Sequence, residues 1–272
     1  AQGVNIAIEA QFEKMGADKI IVMPGSTQQM GFMSAGFASK PLTEDDLEKI
    51  RKIRGVDAAA GIIFKSARIS FRGETKYTFV TGIPIDETKK IIETMQQFEI
   101  ERGRDLISEN RYEAVIGHDL AYDFFKREIK LGDEIKIEGR KFKVVGILEK
   151  IGSKMDDTSV VISIELAKEL FDTGDEISMI LVKVKKGVDV DHVAEEIKEK
   201  LRKLKNEEKG EESFTVQTSR QLMERVQTVL SIFQIMLVGI AAISLLVGGV
   251  GIMNTQYTSV LERTREIGIM KA

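Results

Sequence analysis

The sequence predicts an α+β fold, with a two-lobed domain followed by a long helix that continues as a membrane-spanning segment. Short strand-like and helix-like segments alternate through residues 18–218, with caps and turns between them. The segment from Val226 to Leu261 then contains no Asp, Glu, Lys, Arg or His. A bilayer core of about 30 Å needs about 20 helical residues, so this segment is long enough to cross it. The alternative, a buried helix of a soluble protein, seldom stays uncharged on every face for so long.

The composition excludes several kinds of site. The 272 residues include no cysteine, which excludes disulfides, thiolate metal sites and cysteine nucleophiles. The net charge of −3 argues against nucleic acid as a partner, because nucleic-acid binding needs a concentrated basic face. His118 and His192 stand beside aspartates near predicted helix starts, and Asp156 and Asp157 lie in a predicted turn. All four are typical of surface and turn positions, so we predict no catalytic residue, no metal site and no cofactor.

Residues 1–75 are predicted to form the first part of one lobe. The chain opens with a helical stripe of Val4, Ile8, Phe12 and Met15. A chain that opens inside a helix favours a piece of a longer protein; the alternative is an ordinary first helix. A strand covers Asp18 to Met23, Thr43 with Asp46 caps the next helix, and another strand begins at Val56.

A loop rich in small residues, Gly25 to Lys40, lies between the first strand and the first capped helix. It carries four large apolar side chains that glycines and serines cannot bury locally: Met30, Phe32, Met33 and Phe37. We expect these side chains to contact a substrate, a partner or lipid. The alternative is plain disorder.

Residues 76–175 are predicted to form a second, mixed lobe inserted into the first. Strands are predicted at "KYTFVT", "YEAVIG" and "SVVIS". Helices are predicted from Asp86 to Phe98, from His118 to Glu128 and, with Ser163 as its cap, over "IELAKELF". The segment "DEIKIEGRKFKVVGILE" alternates apolar and charged residues on both sides of Gly139, which indicates a hairpin. Residues 176–218 then complete the first lobe as a discontinuous β-α-β unit.

The helix of residues 219–253 follows that unit directly. Thr218 with Gln221 is a capping-box pattern, and a helix from Ser219 to Met253 is about 50 Å long at 1.5 Å per residue. The excess over a bilayer core predicts a stalk that joins the membrane to the domain. Four small residues fall on one helix face: Ala241, Ser244, Gly248 and Gly251. This face is expected to pack against another membrane helix; the alternative is a kink at the glycine pair.

Residues 254–272 turn from apolar to strongly charged and end in "ERTREIGIMKA". Together with the preceding "LVGGVGIMN", this segment resembles the MacB/FtsX-type permeases of ABC transporters. That family carries a glycine-rich second membrane helix that runs into a charged segment of the form "RTREIGIRKA". The present chain matches from Arg263 to Ala272, except that Met270 stands where a basic residue is usual. Looser similarity at "FEKMGADKIIVMPG" and at the predicted hairpin extends the resemblance over nearly the whole chain.

The resemblance implies an extracytoplasmic domain between the first and second of four membrane helices. Residues 1 to about 225 would lie outside the cell membrane, and residues 254–272 would lie in the cytoplasm. A separate cytoplasmic ATPase subunit would contact the charged segment: Glu262, Arg263, Thr264, Arg265, Glu266, Ile267, Gly268, Ile269 and Lys271. The other implied partners are a second permease copy and membrane lipid.

The implied function is mechanotransmission, with no chemistry on this chain and a hydrophobic, peptide or lipid substrate. Two alternatives stay open from the residues. The charged segment could be a simple membrane-edge anchor. The whole chain could be an extracytoplasmic sensing or scaffolding protein on one anchor.

Overall fold

A computed structural model of the chain describes residues 18–25, 40–85, 91 and 99–271, without the side chains at 262, 265–268 and 271. The strands are β1 (Lys19–Pro24), β2 (Leu42–Thr43), β3 (Val56–Phe71), β4 (Glu74–Ile83), β5 (Ile100–Gly103), β6 (Glu113–Ile116), β7 (Glu134–Ile137), β8 (Arg140–Leu148), β9 (Val160–Ser163), β10 (Glu176–Ile177), β11 (Met179–Val184) and β12 (Phe214–Thr218). The helices are α1 (Glu44–Arg51), α2 (His118–Tyr122), α3 (Lys154–Asp157), α4 (Ile164–Phe171), α5 (Val190–Lys205) and α6 (Ser219–Lys271). The predicted N-terminal helix lies outside the described residues, as does the predicted helix from Asp86 to Phe98 apart from Ile91. The chain divides into two units, residues 1–221 and 222–272.

One half of the first unit, which we call the stem lobe, contains β1, β11, β12 and the first half of β3. β1 lies between β11 and β12 and runs antiparallel to both, with Ile20 opposite Val182 and Thr218. β11 and β12 are therefore parallel, and α5 connects them, as the predicted β-α-β unit requires. α1 and α5 bury their apolar faces against this sheet, in a core that includes Ile20, Val22, Leu47, Ile50, Val182, Val193, Ile197 and Leu201.

The other half, which we call the barrel lobe, is a closed six-stranded barrel. The strands follow one another as β3, β4, β9, β6, β8 and β7, and β7 pairs back to β3 where Ile137 lies opposite Ile69. Alternate side chains of each strand point inward, as closure of a small barrel requires. They form a core that includes Ile63, Ala67, Ile69, Val80, Ile116, Ile135, Phe142, Val144, Val160 and Ile162.

Local signals place the predicted caps and the hairpin turn. The Thr43 hydroxyl accepts from the Asp46 amide while the Asp46 carboxylate accepts from the Thr43 amide, which is a complete capping box. Ser163 caps α4 through its hydroxyl. Between β7 and β8, Glu138 and Gly139 have φ of 46° and 87°, the left-handed pair that a two-residue hairpin turn needs.

The helix predicted from His118 to Glu128 is wrong in length, because α2 ends at Tyr122. The two backbone amides that follow Tyr122 both donate to the Asp119 carbonyl, and the second of these bonds spans five residues, so the helix ends in a wider turn. The chain then turns so that Phe125 enters the barrel core. Burial of that ring has therefore overridden the continuing helical pattern of the sequence.

β3 joins the two lobes, because its 16 residues run from the stem-lobe core into the barrel. On one face of the sheet a third core contains residues of both lobes, including Ala60, Ile62, Ile83, Val115, Leu148, Val161 and Leu181. The sheet thus crosses the predicted limits at residues 75 and 175 without a break. The division into residues 1–75, 76–175 and 176–218 stays a prediction.

Candidate functional site

α6 begins directly where β12 ends, with no linker between Thr218 and the helix. The Gln221 amide donates to the Thr218 hydroxyl oxygen at 3.2 Å, and the Thr218 amide donates to Gln221 Oε1 at 3.3 Å. These two bonds form the capping box that the sequence predicts. The last strand of the domain therefore continues into α6 through a defined cap.

The first turn of α6 also bonds to two other elements of the stem lobe. The Ser219 hydroxyl donates to the Lys19 carbonyl of β1 at 3.4 Å. The Arg220 guanidinium pairs with the carboxylate of Asp191, in the first turn of α5. The start of the helix is thus tied to β1, β12 and α5.

Among the described residues, the segment Ser219–Leu261 is the one helix long and apolar enough to cross a membrane. By length and composition alone a soluble core helix passes the same test, but such a helix is mostly buried. Here none of the most apolar 18-residue window is buried, and Leu237, Leu245 and Val247 are 66%, 78% and 69% exposed. Apolar surface of this extent needs an apolar environment, which favours the membrane over a soluble core.

The four small residues of the predicted packing face are all exposed: Ala241, Ser244, Gly248 and Gly251. A Cβ atom added to Gly248 or Gly251 would meet no atom within 4 Å. The Ser244 hydroxyl donates to the Ile240 carbonyl at 2.9 Å, so its hydrogen bond is made within the helix. A second helix could approach closely along this face, and its packing role stays a prediction.

The predicted coupling segment is helical, because α6 continues through residues 254–271. Arg263, Thr264 and Ile269 are exposed, and the Thr264 hydroxyl donates to the Val260 carbonyl at 2.7 Å. The side chains of Glu262, Arg265, Glu266, Ile267, Gly268 and Lys271 lie outside the described part of the structure. The candidate loop residues Met30, Phe32, Met33 and Phe37 lie wholly outside it. The roles of both segments stay predictions.

The histidines have neighbours that need no catalytic explanation. His118 Nδ1 lies 3.0 Å from Asp119 Oδ1, and Lys150 Nζ lies 2.8 Å from the same carboxylate oxygen. Hydrogen bonds from Lys150 and His118 hold the pKa of the Asp119 carboxyl below its usual value of 3.8. His192 pairs with Glu196 one turn along its own helix. No group of three or more potential ligands that could hold a metal occurs among the residues described.

Asp156 and Asp157 lie in the short helix α3 and not in the predicted turn, and Asp157 has a structural role there. Its buried carboxylate accepts the amides of Ile151 and Gly152, both at 2.8 Å. Two charge-assisted bonds of this kind fix the loop between β8 and α3. The carboxylate is therefore occupied by the backbone around it.

A cleft of about 380 Å³ lies between α1 of the stem lobe and α4 of the barrel lobe, and no pattern in the sequence predicted it. The ammonium group of Lys168 on α4 pairs with Glu44 on α1 and lies 3.3 Å from Glu165. Burial lowers the pKa of Lys168, but the bonds to Glu44 and Glu165 outweigh it and raise the pKa above its usual 10.5. Lys168 and Glu44 are 124 positions apart, so no local pattern could have revealed the pair.

Comparison with known proteins decides the family. The profile of the MacB-like periplasmic core domain matches residues 1–200, which is well over half of the chain. The chain belongs to this MacB-like family. An ABC transporter permease of Methanocaldococcus jannaschii is 40% identical over 99% of this chain and 65% of its own length. The macrolide export ATP-binding/permease protein MacB of Chlorobium luteolum is 30% identical over 100% of this chain and 41% of its own length.

The MacB-like fold also agrees with a solved structure. The periplasmic region of MacB from Actinobacillus actinomycetemcomitans aligns with a TM-score of 0.63 at 15% identity, covering 81% of this chain and 98% of that one. The chain is thus of the MacB type of ABC transporter permease, with an extracytoplasmic-type domain followed by one helix that is long and apolar enough to cross a membrane. It spans less than two thirds of the length of these two permease relatives.

Proposed function

We propose that this MacB-like chain transmits motion from a separate cytoplasmic ATPase to an extracytoplasmic domain. The observation that carries the proposal is the continuity of α6, which runs for 53 residues from the end of β12. At 1.5 Å per residue the helix is about 80 Å long, of which a bilayer core takes about 30 Å. Residues 1 to about 225 would then lie outside the membrane and residues 254–272 in the cytoplasm. Motion at one end of an unbroken helix reaches the other without a flexible linker.

The charged segment supplies the proposed contact with the ATPase. Arginine can hold partner carboxylates through two parallel hydrogen bonds, and lysine cannot. Arg263 is exposed, and Ile269 is 70% exposed and available to an apolar groove. The segment would thus receive the displacement that accompanies ATP binding and hydrolysis.

Replacement of two arginines tests this contact in the full permease. We expect Arg263→Ala with Arg265→Ala to weaken ATPase binding by at least about tenfold, because two bidentate contacts are lost. The Arg263→Lys, Arg265→Lys variant keeps both charges but not the paired geometry, so it should be impaired as well. Affinity and permease-dependent ATP hydrolysis would be measured in reconstituted membranes. Normal function of both variants would make the segment a membrane anchor and leave the single-anchor sensing or scaffolding alternative.

A second permease copy is the proposed partner of the small-residue face. Gly248→Leu should reduce crosslinking between two copies, because a bulky side chain separates packed helix backbones. Leu246→Phe lies off that face and is the matched control. Equal crosslinking in both variants would remove the packing argument.

We propose a hydrophobic, peptide or lipid substrate, with Met30, Phe32, Met33 and Phe37 as its candidate contacts and membrane lipid as a neighbour. Support comes from the apolar character of these four side chains and from the relative named for macrolide export. Mass spectrometry of molecules that copurify with the intact transporter tests this, against a variant lacking residues 28–38. The same molecules in the same amounts in both samples would contradict a role for the loop.

A further inference from the structure

The two lobes of the domain are joined differently on the two faces of the sheet. On one face, the third core packs Ala60 and Leu181 of the stem lobe together with Val115 and Val161 of the barrel lobe. On the other face, α1 and α4 stand on opposite sides of the cleft. A continuous core resists separation, whereas an open cleft can change width. Relative motion of the lobes would therefore be a bend about the third core.

The walls of the cleft are fixed to their own lobes. α4 packs on β4 so closely that a Cβ atom on Gly82 would lie 2.3 Å from the Cβ of Ala167. α1 buries Leu47 and Ile50 in the stem-lobe core. Neither helix can slide on its lobe without losing this packing. A change in the width of the cleft therefore measures a change in the position of one lobe relative to the other.

The Glu44–Lys168 ion pair spans the mouth of this cleft. Glu44 is the first residue of α1, and Lys168 lies on α4 with a side chain that is 18% exposed. A second bond accompanies the ion pair, because the Glu44 amide donates to the Asp175 carbonyl at 3.0 Å. Asp175 belongs to the short segment that leads from α4 back to the stem lobe.

Each partner of the ion pair has a second stabilising contact on its own lobe. The Lys168 ammonium group lies 3.3 Å from Glu165, one turn earlier on α4. The Glu44 carboxylate lies in the first turn of α1, where helical amides and the helix dipole favour a negative charge. Separation of the pair would therefore leave neither charge buried and unpaired, which is the costly outcome for ion pairs.

We propose that Glu44 and Lys168 form a releasable latch between the stem lobe and the barrel lobe, and that the cleft widens when the latch opens. The proposal rests on the proposed function, because it names the place where the outer domain bends during the ATP cycle. Lys168 acts here as a positioning residue. It holds α1 against α4 and contacts no substrate.

The 272 residues contain no cysteine, so spin labels can be attached to them at introduced cysteines once any cysteines elsewhere in the transporter have been replaced. Spin labels at Glu48→Cys on α1 and Glu165→Cys on α4 report the width of the cleft in the full transporter reconstituted with its ATPase. Because Glu165 also pairs with Lys168, a second labelled pair, Glu48→Cys with Glu169→Cys, leaves that contact intact. Electron–electron distance measurements without nucleotide should give a narrow distribution in otherwise unaltered protein. Lys168→Gln should broaden it and move its mean outward by several ångströms, and Glu44→Gln should do the same from the other lobe.

The controls separate a latch from a general loss of structure. Lys168→Arg should restore the narrow distribution, because the charge returns. Lys141→Gln, which breaks the Lys141–Glu134 ion pair inside the barrel lobe, should leave the distance unchanged. Identical distributions in the unaltered protein, Lys168→Gln and Glu44→Gln would overturn the latch.

The same distance measurements made with ATP distinguish a failure of the latch from a failure of the proposed function. With ATP and a trapped ATPase, the unaltered protein should shift toward the distribution seen in Lys168→Gln. A latch that opens in the variants without responding to ATP would confirm the contact and overturn its place in the ATP cycle. A response to ATP that persists in Lys168→Gln with no change at rest would overturn the latch and leave the coupling in place.

Discussion

The two-lobed domain and the helix α6 differ in whether their apolar side chains are buried within the chain. In the domain, apolar side chains of three cores are buried, and the buried carboxylate of Asp157 is hydrogen-bonded to backbone amides. Along α6, most of the large apolar side chains between Val229 and Met253 are exposed. The domain therefore carries its stability within itself. The helix exposes its apolar surface, which membrane lipid and partner helices would cover under the proposed function.

The largest difference is expected for removal of an apolar side chain. Phe142 is 1% exposed in the barrel core, so Phe142→Ala should lower the free energy of unfolding of the domain by about 3–5 kcal/mol. Leu246 is 69% exposed on α6, and Leu246→Ala should leave that free energy unchanged. Urea unfolding of the detergent-solubilised chain, followed by pulse proteolysis of the domain, measures both. Equal losses would contradict the contrast between the two regions.

Two Gly→Ala substitutions, one in the domain and one on α6, test the same contrast by adding a single methyl group. A Cβ at Gly82 would lie 2.3 Å from that of Ala167, so Gly82→Ala should destabilise the domain by about 1–3 kcal/mol through overpacking. A Cβ at Gly248 would meet nothing within 4 Å, so Gly248→Ala should have no effect on the same unfolding curve. If Gly82→Ala left the free energy of unfolding unchanged, α4 would be loosely packed on β4.

A smaller loss of stability is expected when a buried carboxylate of the stem lobe is replaced by an amide. Burial raises the pKa of Glu207, but hydrogen bonds from Ser213 and Lys40 outweigh it and leave the pKa below its usual 4.5. A lowered pKa in the folded state stabilises the fold above pH 4.5, and this contribution disappears as the pH falls through the folded-state pKa. Glu207→Gln should therefore cost about 1 kcal/mol at neutral pH and less in acid.

The matched control for that carboxylate is Glu208→Gln, because Glu208 is the exposed neighbour. Its stability should follow the unaltered chain at every pH. Domain unfolding would be measured between pH 3 and pH 7. A Glu207→Gln curve that stays parallel to the unaltered one down to the lowest pH would contradict the lowered pKa.

Local features of the fold were predictable from the sequence, whereas long-range closure was not. The capping box at Thr43, the cap at Ser163 and the hairpin turn at Gly139 depend on neighbours within a few residues, and the structure confirms all three. Closure of the barrel depends on β7 meeting β3, where Ile137 lies opposite Ile69. No short pattern encodes that pairing, and the same is true of the Glu44–Lys168 ion pair.

The candidate site divides in the same way. The sequence predicted the apolar helix from its length and composition, and it predicted the family from the charged segment at the end of that helix. Both features are runs of consecutive residues. The contacts of the helix's first turn with Lys19 and Asp191 could not be predicted, because they join segments that are brought together only by the β-α-β unit. The early end of α2 shows how tertiary burial of one ring can override a local helical pattern.

The central claim, that α6 carries motion between the ATPase and the outer domain, is tested most directly by interrupting the helix. Gln227 lies between the domain and the most apolar part of α6, and proline there removes a backbone hydrogen bond and kinks the helix. Gln227→Ala keeps the helix intact and is the matched control. Hydrogen exchange of residues 18–218 would be compared with and without ATP in the reconstituted transporter. We expect Gln227→Pro to retain ATP hydrolysis and a folded domain but to lose the ATP-dependent change in exchange, which Gln227→Ala should keep. An undiminished ATP-dependent change in Gln227→Pro would contradict transmission through this helix.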